Sequence, residues 1–251
     1  MSEILTEKEN SIFSITLNRP EKRNALNEAL INSLKDALRE ADKDENLNAI
    51  LIKGAGKDFC SGADLSALQK IAESDVLENL RDAESLMELF AMIRKIKIPV
   101  IAAVHGRALA GGCGLATACD IVLASRSARF GYPEVKIGFV PAMVMAILRR
   151  NLSEKKSFEL ITQGFDFSSV EAEKFGLINR VFEDESFDEE AKNYVSVYEK
   201  VSRSAVVLSK KLLYQMDGMT FDNALETGAE VNTIARLTED CQTGIAKFLN
   251  K

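Results

Sequence analysis

The chain has 251 residues, 46% of them hydrophobic and 28% charged, with 4 Pro and 14 Gly, which suits one large domain with a sizeable core and excludes a disordered or low-complexity chain. The formal net charge is −6, with Lys and Arg interleaved among Asp and Glu, so no basic stripe is available for a phosphate backbone and nucleic acid is not an expected partner. Cys60, Cys113, Cys119 and Cys241 fit no zinc or thioredoxin spacing and read as reduced thiols.

Residues 1–10 carry neither a basic head nor an apolar run, so no signal peptide is expected. The longest apolar stretch, 99–104, falls far short of a bilayer's thickness. Together these point to a cytoplasmic protein that does not engage a membrane.

Residues 11–17 alternate apolar and polar side chains and stop at Asn18-Arg-Pro20, which predicts a strand and a turn. Over 27–42, Leu30, Ile31, Leu34, Ala37, Leu38 and Ala41 recur at helical spacing and predict one buried helix face. A buried strand follows at 49–53, then a loop through Gly54, Gly56 and 59–64, then a long amphipathic stretch over 76–96. Residues 99–104 read as another strand, 115–119 as a short buried helix and 120–124 as a strand. Beyond Phe130 the pattern is mostly helical, near 142–150, 153–163, 168–175, 187–201, 204–215 and 220–236, with Ser153 and Ser168 as expected N-caps.

Two glycine-containing segments carry the chemical signal. Gly106-Arg-Ala-Leu-Ala-Gly-Gly-Cys-Gly-Leu-Ala-Thr-Ala-Cys-Asp120 runs through a Gly-Gly turn into a helix, where unpaired backbone N–H groups can face a developing negative charge. Phe59-Cys-Ser-Gly-Ala-Asp-Leu65 precedes it. With Arg19-Pro-Glu-Lys-Arg-Asn-Ala-Leu26 and Phe130-Gly-Tyr-Pro-Glu-Val-Lys-Ile-Gly138, these make four motifs in an order and spacing that resemble the crotonase (enoyl-CoA hydratase/isomerase) superfamily over essentially the whole chain.

The resemblance implies an α/β fold, a crotonase-like spiral of ββα repeats over 1–188 that carries the active site, with a C-terminal helical trimerisation module over 189–251. It implies an acyl-CoA thioester substrate, assembly as a homotrimer or a dimer of trimers, and no cofactor beyond the coenzyme A part of the substrate. Matched position by position, the backbone N–H groups of Ala63 and Gly111 correspond to an oxyanion hole, and Glu134 to a catalytic acid/base. Lys22, Arg23, Ala25, Asp64, Leu65, Ser66, Gly112, Gly114 and Tyr132 fall at substrate-binding positions, Lys22 and Arg23 near the coenzyme A phosphates.

At Gly114 the chain departs from the pattern, because two-glutamate hydratases carry their first catalytic Glu there. A single carboxylate beside an oxyanion hole suffices for addition or removal of water across a 2,3-double bond when the substrate supplies a second polar group. It also suffices for a 1,3-proton shift, so an enoyl-CoA isomerase is the alternative, and a catalytically inactive CoA-thioester-binding protein is another. The run Glu134-Val-Lys-Ile-Gly-Phe-Val-Pro-Ala142 is similar to a branch that hydrates branched, carboxylated esters such as methylglutaconyl-CoA. His105, the single histidine, has no partner pattern for nucleophilic catalysis and reads as structural, as does Cys113. No cluster of residues has metal-ligand spacing, and no metal is expected.

Overall fold

The computed structural model describes residues 2–250. In chain order these form β1 (Ile4–Glu9), β2 (Ile12–Leu17), α1 (Glu28–Lys43), β3 (Ala49–Gly54), α2 (Leu65–Glu73), α3 (Val76–Lys95) and β4 (Val100–Val104). There follow β5 (Arg107–Leu109), α4 (Gly111–Ala118), β6 (Ile121–Ser125), β7 (Arg129–Gly131), α5 (Ala142–Asn151), α6 (Glu154–Gln163), β8 (Asp166–Ser168) and α7 (Ser169–Phe175). The chain ends with β9 (Arg180–Phe182), α8 (Phe187–Ser196), α9 (Arg203–Gln215), α10 (Phe221–Arg236) and α11 (Glu239–Leu249).

Six strands form one sheet in the order β1-β2-β3-β4-β6-β9, and three form a second in the order β5-β7-β8. In the larger sheet only β1 and β2 run antiparallel, whereas β2, β3, β4, β6 and β9 are parallel. Parallel neighbours need crossovers, and helices supply them. β4 lies wholly inside, each of its five residues buried, as expected of a parallel strand covered on both faces.

The core lies on both faces of this sheet. On one side Leu30, Ile31, Leu34, Ala37, Leu38 and Ala41 of α1 are buried, the stripe predicted from their spacing, and the Asn27 side chain caps the helix by accepting from Leu30 N–H at 2.8 Å. On the other side Phe187, Ala191 and Val195 of α8 pack on Leu51, Ile101 and Leu123. Ser153 and Ser168 cap α6 and α7, the latter in a reciprocal box with Glu171.

A domain boundary after residue 188 therefore cuts through α8, which belongs to the core. α9 is tied to that core by the buried Lys210, whereas α10 and α11 bury none of their residues, and Phe221, Leu225, Leu237, Phe248 and Leu249 are all exposed. Among the described residues no helix is long and apolar enough to cross a membrane.

The smaller sheet positions the site. Isolated bridges join Cys60 to Ala108 and Leu26 to Ala63, so the 59–64 loop lies along β5 and residue 26 along that loop. β5 and β7 run parallel with Leu109 opposite Gly131, and both lead out of the same edge, one into α4 and the other into Pro133 and Glu134.

Candidate active site

The Ala63 amide is set by the bridge beside it. Leu26 N–H donates to Gly62 O at 2.6 Å and Leu26 O accepts from Asp64 N–H at 2.9 Å. In a parallel bridge the residue between those two partners points its own N–H to the other side, so the Ala63 N–H faces away from Leu26 and has no partner among the described residues. Gly62 has φ +96°, and a Cβ there would lie 2.9 Å from the Ala110 Cβ. The two loops are thus in direct contact.

Gly111 opens α4. The first intrahelical bond runs from Gly114 N–H to Ala110 O at 2.9 Å, which leaves the Gly111 amide among the unpaired donors of the first turn. Ala110, at φ 50° and ψ −126°, occupies a region that L side chains rarely adopt, with its N–H held by Gly131 O at 2.9 Å. A strained residue held by its surroundings next to an exposed helix start is where a functional site stores strain. Gly112 must be small: a Cβ there would lie 2.3 Å from Cys60 O.

Glu134 follows Tyr132 and Pro133 in a short 3-10 turn, Pro133–Ile137. It is half-buried, its Oε2 is buried without a hydrogen-bond partner, and burial pushes its pKa above the ordinary glutamate value. Its charge is felt at Cys113 in the first turn of α4. A carboxyl group whose proton is held more tightly through desolvation, at the sheet edge where two backbone amides are free, can give and take a proton where negative charge develops. The backbone donors and the carboxylate come from three segments, the 59–64 loop, the start of α4 and the turn after β7.

A model for Enoyl-CoA hydratase/isomerase matches residues 7–251. The chain belongs to the enoyl-CoA hydratase/isomerase family. A Thermus thermophilus protein provisionally named an enoyl-CoA hydratase is 39% identical over 94% of this chain and 94% of its own. The 2,3-dehydroadipyl-CoA hydratase of Escherichia coli K12 is 33% identical over 100% of this chain and 97% of its own. A crystal structure of a Mycobacterium smegmatis enoyl-CoA hydratase superposes with a TM-score of 0.95 at 30% identity, covering 99% of this chain and 96% of that one. The mixed α/β architecture is therefore that of the crotonase fold.

Within this family site the remaining predicted residues divide by what their side chains do. Asp64 is buried, its Oδ2 2.8 Å from Arg19 Nη2, while its Oδ1 accepts from the Ser66 amide and hydroxyl, both at 3.0 Å. Burial acts to raise the Asp64 pKa, but the Ser66 amide and Arg19 outweigh it and hold the carboxylate below its ordinary range. This side chain caps α2 and braces the loop. Both side-chain oxygens of Asp64 are committed to the protein, which leaves the backbone of this position to line a substrate pocket.

The Tyr132 side chain is likewise engaged within the protein. It is 0% exposed, with its hydroxyl 3.4 Å from Thr117 Oγ1, and burial raises its pKa well above the ordinary tyrosine value. It packs under α4 and sets the path of the chain into Glu134. Gly112 is buried beneath the loop as a close-packing residue, and Ala25 is buried with its carbonyl accepting from Arg19 Nη1 at 2.5 Å. Lys22 and Arg23 are exposed, and Arg23 sits in the left-handed region at φ 51° with Nε 4.0 Å from Asp58 Oδ2. Ser66 is exposed at the start of α2. The Leu65 side chain lies outside the described residues.

Gly114 is buried in α4. The space that its side chain would enter is filled by Val144 Cγ1, 2.7 Å from an ideal Cβ, and Phe90 Cζ, 2.8 Å from it. Sequence reading missed both residues, and it missed Arg19 as the partner of Asp64, although Arg19 stands in the first motif. Of the residues expected to be structural, His105 has Nε2 2.9 Å from Gly56 O. Burial raises the Cys113 thiol to about 12, which keeps it protonated and inert.

A cleft of about 810 Å³ lies elsewhere. Lys53, Lys57, Arg107, Arg129 and Asp184 line it. Arg107 and Arg129 open β5 and β7, so this cleft sits at the amino-terminal edge of the small sheet. Glu134 and Gly111 lie beyond the opposite edge.

Proposed function

We propose that the protein adds water to, or removes it from, the 2,3-double bond of an enoyl-CoA thioester. The observation that carries this reading is the buried, unpartnered Glu134 Oε2 at the sheet edge where the Ala63 and Gly111 amides are left free. The thioester oxygen would accept from those two N–H groups, which stabilise the enolate as charge develops on it. Removing one such donor in comparable sites costs about 10²- to 10³-fold in rate. Glu134 would take a proton from water as the oxygen attacks C3 and return a proton to C2.

Coenzyme A enters as part of the substrate, with the exposed Lys22 and Arg23 suited to its phosphates. The family relation and the names of the relatives support the substrate class. The exposed apolar side chains of α10 and α11 support a homotrimer or a dimer of trimers, in which those helices would be covered. An inactive binding protein is disfavoured, because a site that only binds gains nothing from an unpaired buried acid.

The hydrocarbon beside Gly114 supports enoyl-CoA isomerisation as a second reading, with Glu134 moving a proton between carbons. Incubation with 2-enoyl-CoA and with 3-enoyl-CoA in deuterated water tests both. A 3-hydroxyacyl product is expected for hydration. Double-bond migration with deuterium uptake and no hydroxyl would establish isomerisation instead, and neither product at any chain length would refute both.

A further inference from the structure

Gly111 and Gly114 lie one turn apart on α4, and the same face of α3 covers them both. A Cβ at Gly111 would come within 3.7 Å of Leu86 Cδ2, and one at Gly114 within 2.8 Å of Phe90 Cζ. Leu86 and Phe90 are themselves one turn apart on α3, so the two helices run together along the site. Val144 of α5 closes the same space from the other side. Phe90 and Val144 are both buried in the main core. The position at which the family resemblance places a second carboxylate in two-glutamate members is here a packed hydrocarbon wall, built from two helices other than the one that carries Gly114.

We propose that Phe90 and Val144 are specificity-determining residues that set the ratio of hydration to double-bond migration. This rests on the reading of Glu134, Ala63 and Gly111 as the reacting site. In hydration, the Glu134 carboxylate takes a proton from water while the water oxygen bonds to C3. The C2–C3 π pair moves onto the thioester as an enolate, and Glu134 then protonates C2. In migration, the same carboxylate removes a proton from C4, the released pair forms the C3–C4 double bond, the C2–C3 pair becomes the enolate, and the proton returns to C2. Both routes use one carboxylate and one oxyanion hole.

They differ in one requirement: hydration needs a water held at C3, and an ordered water needs two to four polar partners. On the Gly114 side, Phe90 and Val144 offer none. Water is then oriented by Glu134 and by whatever polar group the substrate brings, whereas migration needs no such partner and competes. A Glu side chain at 114 could not enter unless the Phe90 ring moved, so the two apolar residues and the glycine act as one unit.

The test compares wild type with Val144→Thr, Phe90→Tyr, Phe90→Leu and Val144→Ala, measuring 3-hydroxyacyl-CoA against 3-enoyl-CoA formed from one 2-enoyl-CoA in deuterated water. Val144→Thr puts one hydroxyl on the wall that faces Gly114 and is expected to raise the hydration-to-migration ratio by about tenfold, the worth of one added hydrogen bond. Phe90→Tyr, which adds a hydroxyl at the ring atom nearest Gly114, should shift the ratio in the same direction and provides the reading if Val144→Thr fails to fold. Phe90→Leu and Val144→Ala add no polar partner, leave the space dry and are expected to stay near wild type. A Gly114→Glu/Phe90→Ala double variant is expected to hydrate faster than Phe90→Ala alone, and Gly114→Glu alone to lose its packing. An unchanged ratio in folded, active Val144→Thr or Phe90→Tyr overturns this proposal alone. Absence of both products from wild type instead overturns the assignment of the site.

Discussion

Asp120 Oδ2 accepts from Lys210 Nζ at 2.6 Å, both side chains nearly excluded from solvent, so a residue just past the end of α4 is bonded to the middle of α9. The rest of the network is saturated. Lys210 also donates to Ile98 O at 2.9 Å and Ile93 O at 3.2 Å, Tyr214 donates to Asp120 Oδ1 at 2.5 Å, and Val100 N–H donates to Asp120 Oδ2 at 2.7 Å. Removing one charge of such a pair leaves the other buried and uncompensated. Lys210→Met is therefore expected to lower unfolding free energy by about 3–5 kcal/mol, read from urea denaturation. The Asp120→Asn/Lys210→Met double variant should recover part of that loss, because it removes both charges, and a single-variant loss no larger than that of an exposed lysine would show that α9 is held by packing alone.

Ala110 holds a backbone conformation that costs an L residue about 1–3 kcal/mol. Glycine at this position removes the strain but frees the unfolded chain, at a cost of about 0.4–1 kcal/mol. Ala110→Gly should therefore raise stability by about 1 kcal/mol, seen as a higher thermal midpoint, with the Gly111 amide left where it is and turnover little changed. A lower midpoint would mean that the Ala110 methyl, which contacts the Gly62 position, contributes more than the strain removes.

How much of this was legible beforehand depends on the range of the interaction. The α1 stripe and the buried strands at 49–53 and 99–104 were readable because burial imposes a period on consecutive residues. β5, β7, β8 and β9 were not, since three residues carry no period and these strands exist only through partners far along the chain, such as Arg107 opposite Arg129. β1 was missed because five of its six residues are exposed and its pairing is imposed by β2. α4 was placed too late, at 115, because glycines at 111, 112 and 114 argue against a helix, although Gly112 and Gly114 are required there by Cys60 and by Phe90. The site's loops were legible through their motifs. The wall behind Gly114 was not, because Phe90 and Val144 are ordinary apolar residues of two separate helices, and nothing in their local sequence says which space they fill.

Gly112 tests how tightly the two loops are interlocked. A methyl there would lie 2.3 Å from Cys60 O and 2.7 Å from Cys60 Sγ. Backbone at that distance can give way only by displacing the 59–64 loop. Overpacking of this kind costs about 1–3 kcal/mol, and the displacement would carry the Ala63 amide with it. Gly112→Ala is expected to lower both stability and kcat, with the rate loss persisting at temperatures where the variant is fully folded. Normal kcat in a folded Gly112→Ala protein would uncouple the loop from catalysis.

Glu134 links activity and stability through one ionisation. Burial raises its pKa in the folded protein above the value it has in the unfolded chain. The folded state therefore binds its proton more tightly. The associated stability is complete below the unfolded pKa and is lost as pH rises through the folded pKa. At neutral pH the ionised carboxylate is a cost, and Glu134→Gln should be more stable than wild type there, with the difference vanishing in acid below the ordinary glutamate range. The same variant lacks the base and should lose about 10²- to 10⁴-fold in kcat, while the acidic limb of the wild-type kcat/KM profile should fall at higher pH than an unperturbed glutamate would give. Thermal midpoints and pH–rate profiles on the two proteins check all three. A Gln variant that loses activity without gaining stability at neutral pH would leave Glu134 as the acid/base but show that its carboxylate is solvated in the resting enzyme.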